Sequence, residues 1–371
     1  MYSQMYSQVP LKNRMTSSES VARSIINHRL VLKVRMFSVR QLNRARGSLK
    51  SLATIASVLL TLFSGHVAAQ AWPSKPITMI SPYPAGGGVD TVTRLIADRL
   101  APALNTTIPV ENRPGAGGMI AAEAVARAVP DGYTLFVGLH SQLAQASVLF
   151  KKPLINPDTD LIPVAAVTAG GLPAAVHTGL SVKNVKELVE LSRQRTVNAG
   201  NYSLGSGWHL LLSQLAKETG GQFVVVSYKG TPAMFTDLVG KQTDVATGSV
   251  ISIGPFMQRE GLRIIAIMSD RRSTKYPDVP TWAEQGFTSP AFTKLLEYNM
   301  LLAPAGTPKE IVAKISDTVA DAAQHSQKMK VLLDMIGSDD QVLVGEPLTK
   351  MISEVWPVYR QLTTELKLTP E

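Results

Sequence analysis

Residues Ser81–Asp90 read SPYPAGGGVD. They follow a short apolar run, Ile77–Ile80, and precede a helical pattern over Thr91–Leu104. The order of strand, glycine turn and helix predicts a βα unit whose loop lets the backbone approach a ligand. Glycine has no Cβ to stand in the way and adopts positive φ without strain. A helix start adds backbone N–H groups that lack intrahelical partners, together with partial positive charge. Such a turn can seat a carboxylate or phosphate. A plain tight turn with Asp90 as the N-cap accounts for the same residues, and the stretch by itself leaves both readings open.

A second stretch repeats the idea. Asn198–His209 reads NAGNYSLGSGWH and leads into a helical pattern over Leu210–Thr219. Two such units about 120 residues apart are expected to face each other across a cleft.

The surrounding elements follow from periodicity. Ile77–Ser81, Ile108–Glu111 and Thr134–Gly138 read as strands, with helices over Asp90–Leu104 and Met119–Ala128 between them. Asn112–Gly118, NRPGAGG, is a loop in which Arg113 is expected to bond carbonyls. Two β-branched runs fill Leu161–Val176 around Gly170, Gly171 and Pro173. A second β-α-β-α-β series follows: Val197–Ala199, Phe223–Ser227 (a buried strand), Val245–Gly248 and Ile264–Met268, with helices over Val185–Arg193 and Pro232–Val239. Asn299–Ala303 is a further strand, and three helices end the chain, over Lys309–Asp321, Gln327–Ile336 and Leu348–Leu366. This alternation predicts an α/β protein of two lobes, each with a mainly parallel sheet, around a ligand cleft. The expected division is 1–71 as leader, 72–172 with 297–371 as the first lobe, and 173–296 as the second. Leu161–Val176 and Asn299–Ala303 are the expected hinge crossings.

Charge and composition exclude several classes. The formal charge is +9, but residues 1–71 contain ten Lys/Arg and one acid, leaving 27 residues of each sign in 72–371. The basic excess therefore says nothing for nucleic-acid binding by the folded part. With no cysteine, disulfides and thiolate metal sites are ruled out, and the six histidines show no ligand spacing. No cofactor is expected. Arg40, Arg44, Arg46 and Lys50, then the 13-residue apolar run Ser51–Phe63 and Ala69-Gln70-Ala71, read as an export signal cleaved near Ala71. The apolar run is shorter than the roughly 18 residues of a membrane span. Met36 is a candidate start that would give this signal ordinary proportions.

Chemical motifs are few. Thr91 stands where a G-x-G-x-x-G fingerprint needs glycine, and no Walker motif is present. Ser203, Ser206 and His209 suggest a serine hydrolase, but Ser206 sits in G-S-G-W and not in a nucleophile elbow. His209 reads either as a polar cleft wall or as an uninvolved helix residue. In Tyr228-Lys229-Gly230-Thr231-Pro232, Thr231 is the expected cap and Pro232 the first helical residue, while Tyr228 reads either as a residue that closes the cleft or as a packed tyrosine. Arg271-Arg272 reads as a solvated cluster at a helix start.

The motifs PYPAGGGVD, VENRPGAGG, PDGYTL, GSGWHL, YKGTPA, DLVGKQTD, RIIAIMSDRRSTKYPDVP with TWAEQG, and LLAPAGTP occur in this order. Together they resemble the substrate-binding receptors of tripartite tricarboxylate transporters, the Bug family. The resemblance implies a monomeric periplasmic receptor of the Venus-flytrap type, not an enzyme. It implies capture of a small carboxylate, an organic acid or amino acid, and delivery to a membrane permease. It places ligand contacts in Tyr83–Asp90 and Asn201–His209. The candidate contacts are Tyr83, Ala85, Gly86, Gly87, Gly88, Asp90, Ser141, Ser203, Gly205, Ser206, His209 and Tyr228. Ala85, Val89, Asn201–Ser203 and Gly138–Gln145 depart from the usual pattern, and Tyr202 and Trp208 are bulky within it. A sensory receptor feeding a signalling partner is the alternative; a periplasmic hydrolase using Ser206 and His209 is the third reading.

Overall fold

The structure is a computed structural model that describes residues 72–168, 170–257, 261–338 and 342–368. The export signal, its cleavage point and the Met36 start all lie outside the described residues.

The first elements are β1 (Thr78–Ser81), α1 (Gly88–Ala103), β2 (Val110–Asn112), α2 (Met119–Ala126), β3 (Thr134–Leu139), α3 (His140–Leu149), α4 (Pro157–Asp160) and β4 (Leu161–Thr168). Then come β5 (Leu172–His177), α5 (Val185–Gln194), β6 (Val197–Asn201), α6 (Gly207–Thr219), β7 (Phe223–Ser227), α7 (Thr231–Val239), β8 (Val245–Thr247), α8 (Val250–Met257) and β9 (Leu262–Met268). The chain continues through α9 (Pro290–Thr293), β10 (Tyr298–Pro304), α10 (Lys309–His325), α11 (Gln327–Met335) and α12 (Gly345–Glu365).

Two five-stranded sheets result, ordered β2-β1-β3-β10-β4 and β7-β6-β8-β5-β9. In the first, β1 pairs in parallel with β2 and β3, while β10 runs antiparallel to both β3 and β4. In the second, β6 pairs in parallel with β7 and β8, while β5 runs antiparallel to β8 and β9. Four strands of each sheet thus point one way. The single reversed strand is the one that arrives from the other sheet: β5 follows β4, and β10 follows β9. The two sheets are therefore mixed, with the same order of roles.

Strand pleat explains why a run such as MLLA, residues 300–303, is apolar throughout. Alternate residues of a strand face opposite sides of its sheet. Met300 and Leu302 join one buried cluster with Ile80, Phe136 and Ala166. Leu301 and Ala303 join the other, with Met79, Leu135, Val137 and Ala165. A strand with helices on both faces has no polar side. On α1, Val92, Ile96 and Leu100 recur every four residues and bury that face on the same second cluster.

Some sequence expectations are corrected. Phe223–Ser227 is a strand, but it is the edge of its sheet, and Val224 is half exposed. A valine run reads as buried because propensity does not report sheet position. Arg113 bonds the Glu111 carboxylate at 2.7 Å, not carbonyls. No helix begins at Arg271-Arg272; Arg272 pairs with Glu284 at 3.0 Å across a loop. Helices α3 and α8 were not expected. Their first turns, beginning at His140 and Val250, carry no acidic residue, so the usual charge signal for a helix start is missing.

Trp208 packs in the second sheet's core, 5.9 Å from Trp282, and its indole N–H donates to the Gly200 carbonyl at 2.9 Å. It is fully buried. Trp208→Ala is expected to lower unfolding stability by about 3–5 kcal/mol, measured as a fall in urea midpoint at an unchanged denaturant slope.

Candidate ligand-binding site

A cavity continuous with solvent, with about 570 Å³ of empty space, lies between the two sheets. Three helix starts meet at it: Gly87 and Gly88 of α1, Gly230 and Thr231 of α7, and Gly248, Ser249 and Ser252 of α8. Its other walls are aliphatic or tyrosyl, with Val89, Val92, Leu139, Leu172, Ile336, Tyr83 and Tyr202. Glu297 and Asn299, at the entry of β10, complete it. No Lys or Arg lines it among the described residues.

Each helix start is built by local chemistry. Gly86 takes φ of +80°, which turns the chain into α1. The N-cap is Gly87, and Asp90 lies in the first turn instead of capping it. The Asp90 carboxylate reaches back to the Gly86 N–H at 2.9 Å and accepts from Asn112 Nδ2 at 2.8 Å and Arg94 Nε at 3.0 Å. Against the raising effect of burial, these bonds from Arg94, Asn112 and Gly86 hold its pKa below the usual value. Asn112 also donates to the Tyr83 carbonyl at 2.8 Å, so one hydrogen-bonded cluster around Asp90 pins both ends of the loop. Gly88 is needed for close approach, because a Cβ there would stand 2.5 Å from Ser249 Oγ on the opposite side. The N-cap of α7 is Gly230, one position earlier than the sequence suggested, with Thr231 and Pro232 inside the helix. At α8, Ser249 Oγ accepts from the Ser252 N–H at 3.3 Å.

The second glycine turn is arranged differently. The start of α6 is capped by Ser206, which accepts from the His209 N–H at 3.2 Å and donates its own proton to Asn201 Oδ1 at 2.7 Å. The Gly207 N–H donates to Glu297 Oε1 at 2.8 Å, and the Tyr202 hydroxyl reaches the same oxygen at 3.1 Å. Gln142 bonds Ser203, and Gln145 bonds the Gly205 carbonyl. The loop 201–207 is therefore stitched to α3 and to Glu297, and the protein's own carboxylate occupies the anion seat that the sequence reading reserved for a ligand.

The candidate residues separate accordingly. Tyr83, Gly87 and Gly88 line the cavity. Ala85 and Gly86 are exposed beside it, and Asp90 is committed to the loop. Ser141, Ser203, Gly205, Ser206, His209 and Tyr228 do not line it. His209 Nδ1 accepts from the Gly205 N–H at 3.4 Å, and burial lowers its pKa. Tyr228 donates to Asp237 at 2.6 Å; burial first, then Asp237, pushes its pKa up to about 12. The sequence reading missed Thr231, Ser249 and Ser252 as cavity residues, along with Glu297 and Asn299. Ser249 and Ser252, with the spacing of a cap and its third helical residue, were the available signal. Nothing local marked Glu297, which is made a site residue by contacts 90 positions away.

Glu297 is the unusual group. It is 2% exposed. Burial pushes its carboxyl up to about 7, against the lowering effects of the Gly207 N–H and the nearby Ser141 and Tyr202 hydroxyls. His140 Nε2 lies 3.9 Å from Oε2, but burial takes that histidine down to about 4, and its Nε2 bonds the Leu296 carbonyl at 2.8 Å. The pair is thus not an ion pair at neutral pH.

A model of the tripartite tricarboxylate transporter family receptor matches residues 92–355. The chain belongs to that receptor family. It is 34% identical over 293 residues to a UPF0065 protein of Bordetella bronchiseptica, covering 76% of this chain and 86% of the relative. Among solved structures, R. palustris Rpa4515 with adipate is similar at TM-score 0.74 and 28% identity, over 81% of this chain and all of that one. The periplasmic binding protein BugD is similar at TM-score 0.73 and 28% identity over the same shares. MatC of Rhodopseudomonas palustris, with bound malate, is similar at 0.70 and 29%, over 78% and 99%. The receptor thus has the two-lobed α/β fold of periplasmic binding proteins and is of the Bug type.

A carboxyl whose pKa rises on folding binds more protons folded than unfolded, so its contribution to stability falls as pH rises from about 4.5 to about 7. The cost above that window is about 3 kcal/mol. Glu297→Gln keeps an acceptor for Gly207 and is expected to be more stable than the parent at pH 8 by up to that amount. The two proteins should converge below pH 4.5. Urea unfolding at both pH values checks this; an equal gain at pH 4 and pH 8 contradicts it.

Proposed function

We propose that the protein is a periplasmic solute receptor that captures a small carboxylate between its two lobes and delivers it to a membrane permease of the tripartite tricarboxylate type. One observation carries this reading: three helix starts converge on a cavity that has no basic side chain among the described residues. Helix α1 carries no side-chain cap, and neither does α7. Unpartnered N–H groups and helix dipoles suit a carboxylate without a lysine or arginine. The Thr231 hydroxyl is buried without a partner at the same place. Adipate and malate, bound by two similar structures, are small carboxylates and support the class.

In this reading Tyr83, Gly87 and Gly88 contribute from the first lobe, and Thr231, Ser249 and Ser252 from the second. Ser203, Gly205, Ser206 and His209 hold the junction between lobes. The lobes are 72–172 with 297–371, and 173–296, and the receptor acts as a monomer exported by its leader. Closure brings α1 against Ser249, and the solute favours the closed form through the extra contacts of the second lobe.

Two outcomes test this. A carboxylate at about 100 times its dissociation constant should stabilise the fold by about 2.7 kcal/mol, visible as a thermal shift, while the matching uncharged amide gives none. Gly88→Val places a branched side chain against Ser249. It is expected to weaken binding at least about tenfold by obstructing closure, with unfolding temperature nearly unchanged without solute. Unaltered affinity in titration calorimetry would remove α1 from the closure surface.

A further inference from the structure

The cavity has two chemically opposed sides. One is made of donors, the helix starts of α1, α7 and α8. The other is made of acceptors. Glu297 Oε1 is taken by Gly207 and Tyr202, while Oε2 is buried beside the Ser141 hydroxyl with neither atom in hydrogen-bond geometry to a partner. Asn299 Oδ1 is likewise buried and unpartnered. Both residues line the cavity. Glu297 immediately precedes β10 and Asn299 is that strand's second residue, and both reach the cavity. Buried acceptors without donors are costly, and most native structures supply the missing partner.

A solute that carried only carboxylates would bring negative charge toward Glu297, where neither Lys nor Arg among the described residues lines the cavity to offset it. A donor on the solute removes both problems. We propose that the solute carries a protonated amine in addition to its carboxylate, and that Glu297, with Asn299 beside it, is the residue that selects this amine. The inference rests on the carboxylate reading above and narrows it to amino-substituted acids. The carboxylate meets the helix starts, the ammonium donates to Glu297 Oε2 and Asn299 Oδ1, and Val89, Val92, Leu139, Leu172 and Ile336 cover the carbon skeleton. In this respect the receptor departs from the relatives seen with adipate and malate, which carry no amine.

The groups that face Glu297 are Tyr83 after β1, His140 and Ser141 at the start of α3, Tyr202 after β6, and Tyr359 of α12. Burial holds the histidine neutral and raises the three phenols, so Glu297 is the member that titrates near pH 7. An arriving ammonium keeps Glu297 ionised and expels its proton. An acid without an amine draws a proton in.

The test is titration calorimetry of the purified protein with matched pairs: glutamate and glutarate, 2-aminoadipate and adipate, leucine and 4-methylpentanoate, 4-aminobutyrate and butyrate. In at least one pair the amino member should bind at least about tenfold tighter, because a site built to bond an N–H rejects the analogue without it. At pH 7, in two buffers of different ionisation enthalpy, the amino member should release protons. Glu297→Gln, checked for folding by its unfolding temperature, should lose most of the preference and the proton release. Equal or tighter binding of the amine-free member by the parent overturns the inference and leaves the carboxylate reading standing. A preference unchanged in Glu297→Gln also overturns it. If no member of any pair binds, the carboxylate reading falls and the inference with it.

Discussion

A helix start exposes backbone N–H groups that need acceptors, and the way this protein meets that need at four helices shapes its central region. At α6 it supplies the acceptors itself, through Ser206 and the Glu297 carboxylate. At α1 it satisfies only the loop before the helix, through Asp90 and the Gly86 N–H. The first turn of α1 and the starts of α7 and α8 face the cavity instead. Internal satisfaction of α6 ties loop 201–207 to α3 and to Glu297. Incomplete satisfaction of the others leaves the donors that, in the proposed reading, seat an anion.

The strand exchange makes this arrangement possible. Because β5 and β10 each run reversed in the sheet they enter, the chain passes between lobes twice through its β-strand framework. The second passage delivers Glu297 and Asn299 to the cavity at the entry of β10. In the proposed reading that crossing also forms a binding wall, so lobe closure and recognition of the solute are coupled through it.

Charge placement follows the same logic. The part after residue 71 is balanced, with 27 basic and 27 acidic residues, and its ion pairs are mostly exposed ones such as Lys75–Asp131 and Arg272–Glu284. Such pairs contribute little stability. The consequential charge is buried. Burial raises the Glu297 carboxyl, and a buried, shifted group beside a cavity is a candidate for a role in binding.

Much of this was legible in the residues. Alternating apolar runs and amphipathic stretches specify two βαβ series, because burial on both faces of a sheet demands apolar residues at every strand position. The run SPYPAGGGVD specified a close-approach turn before a helix, since only glycine fits at Gly86 and Gly88. These are local properties, governed by backbone conformation and periodicity, and a chain carries them in order. Tertiary structure alone decided which helix start would be free. The GSGWH turn has the same local chemistry as the first turn. It is closed because a glutamate 90 residues later folds onto its N–H group, and that contact depends on where β10 enters the sheet. The starts at Thr231 and Ser249 are open because no distant segment among the described residues bonds them. Local sequence determines that a donor exists; long-range packing determines whether the protein or the solute will satisfy it.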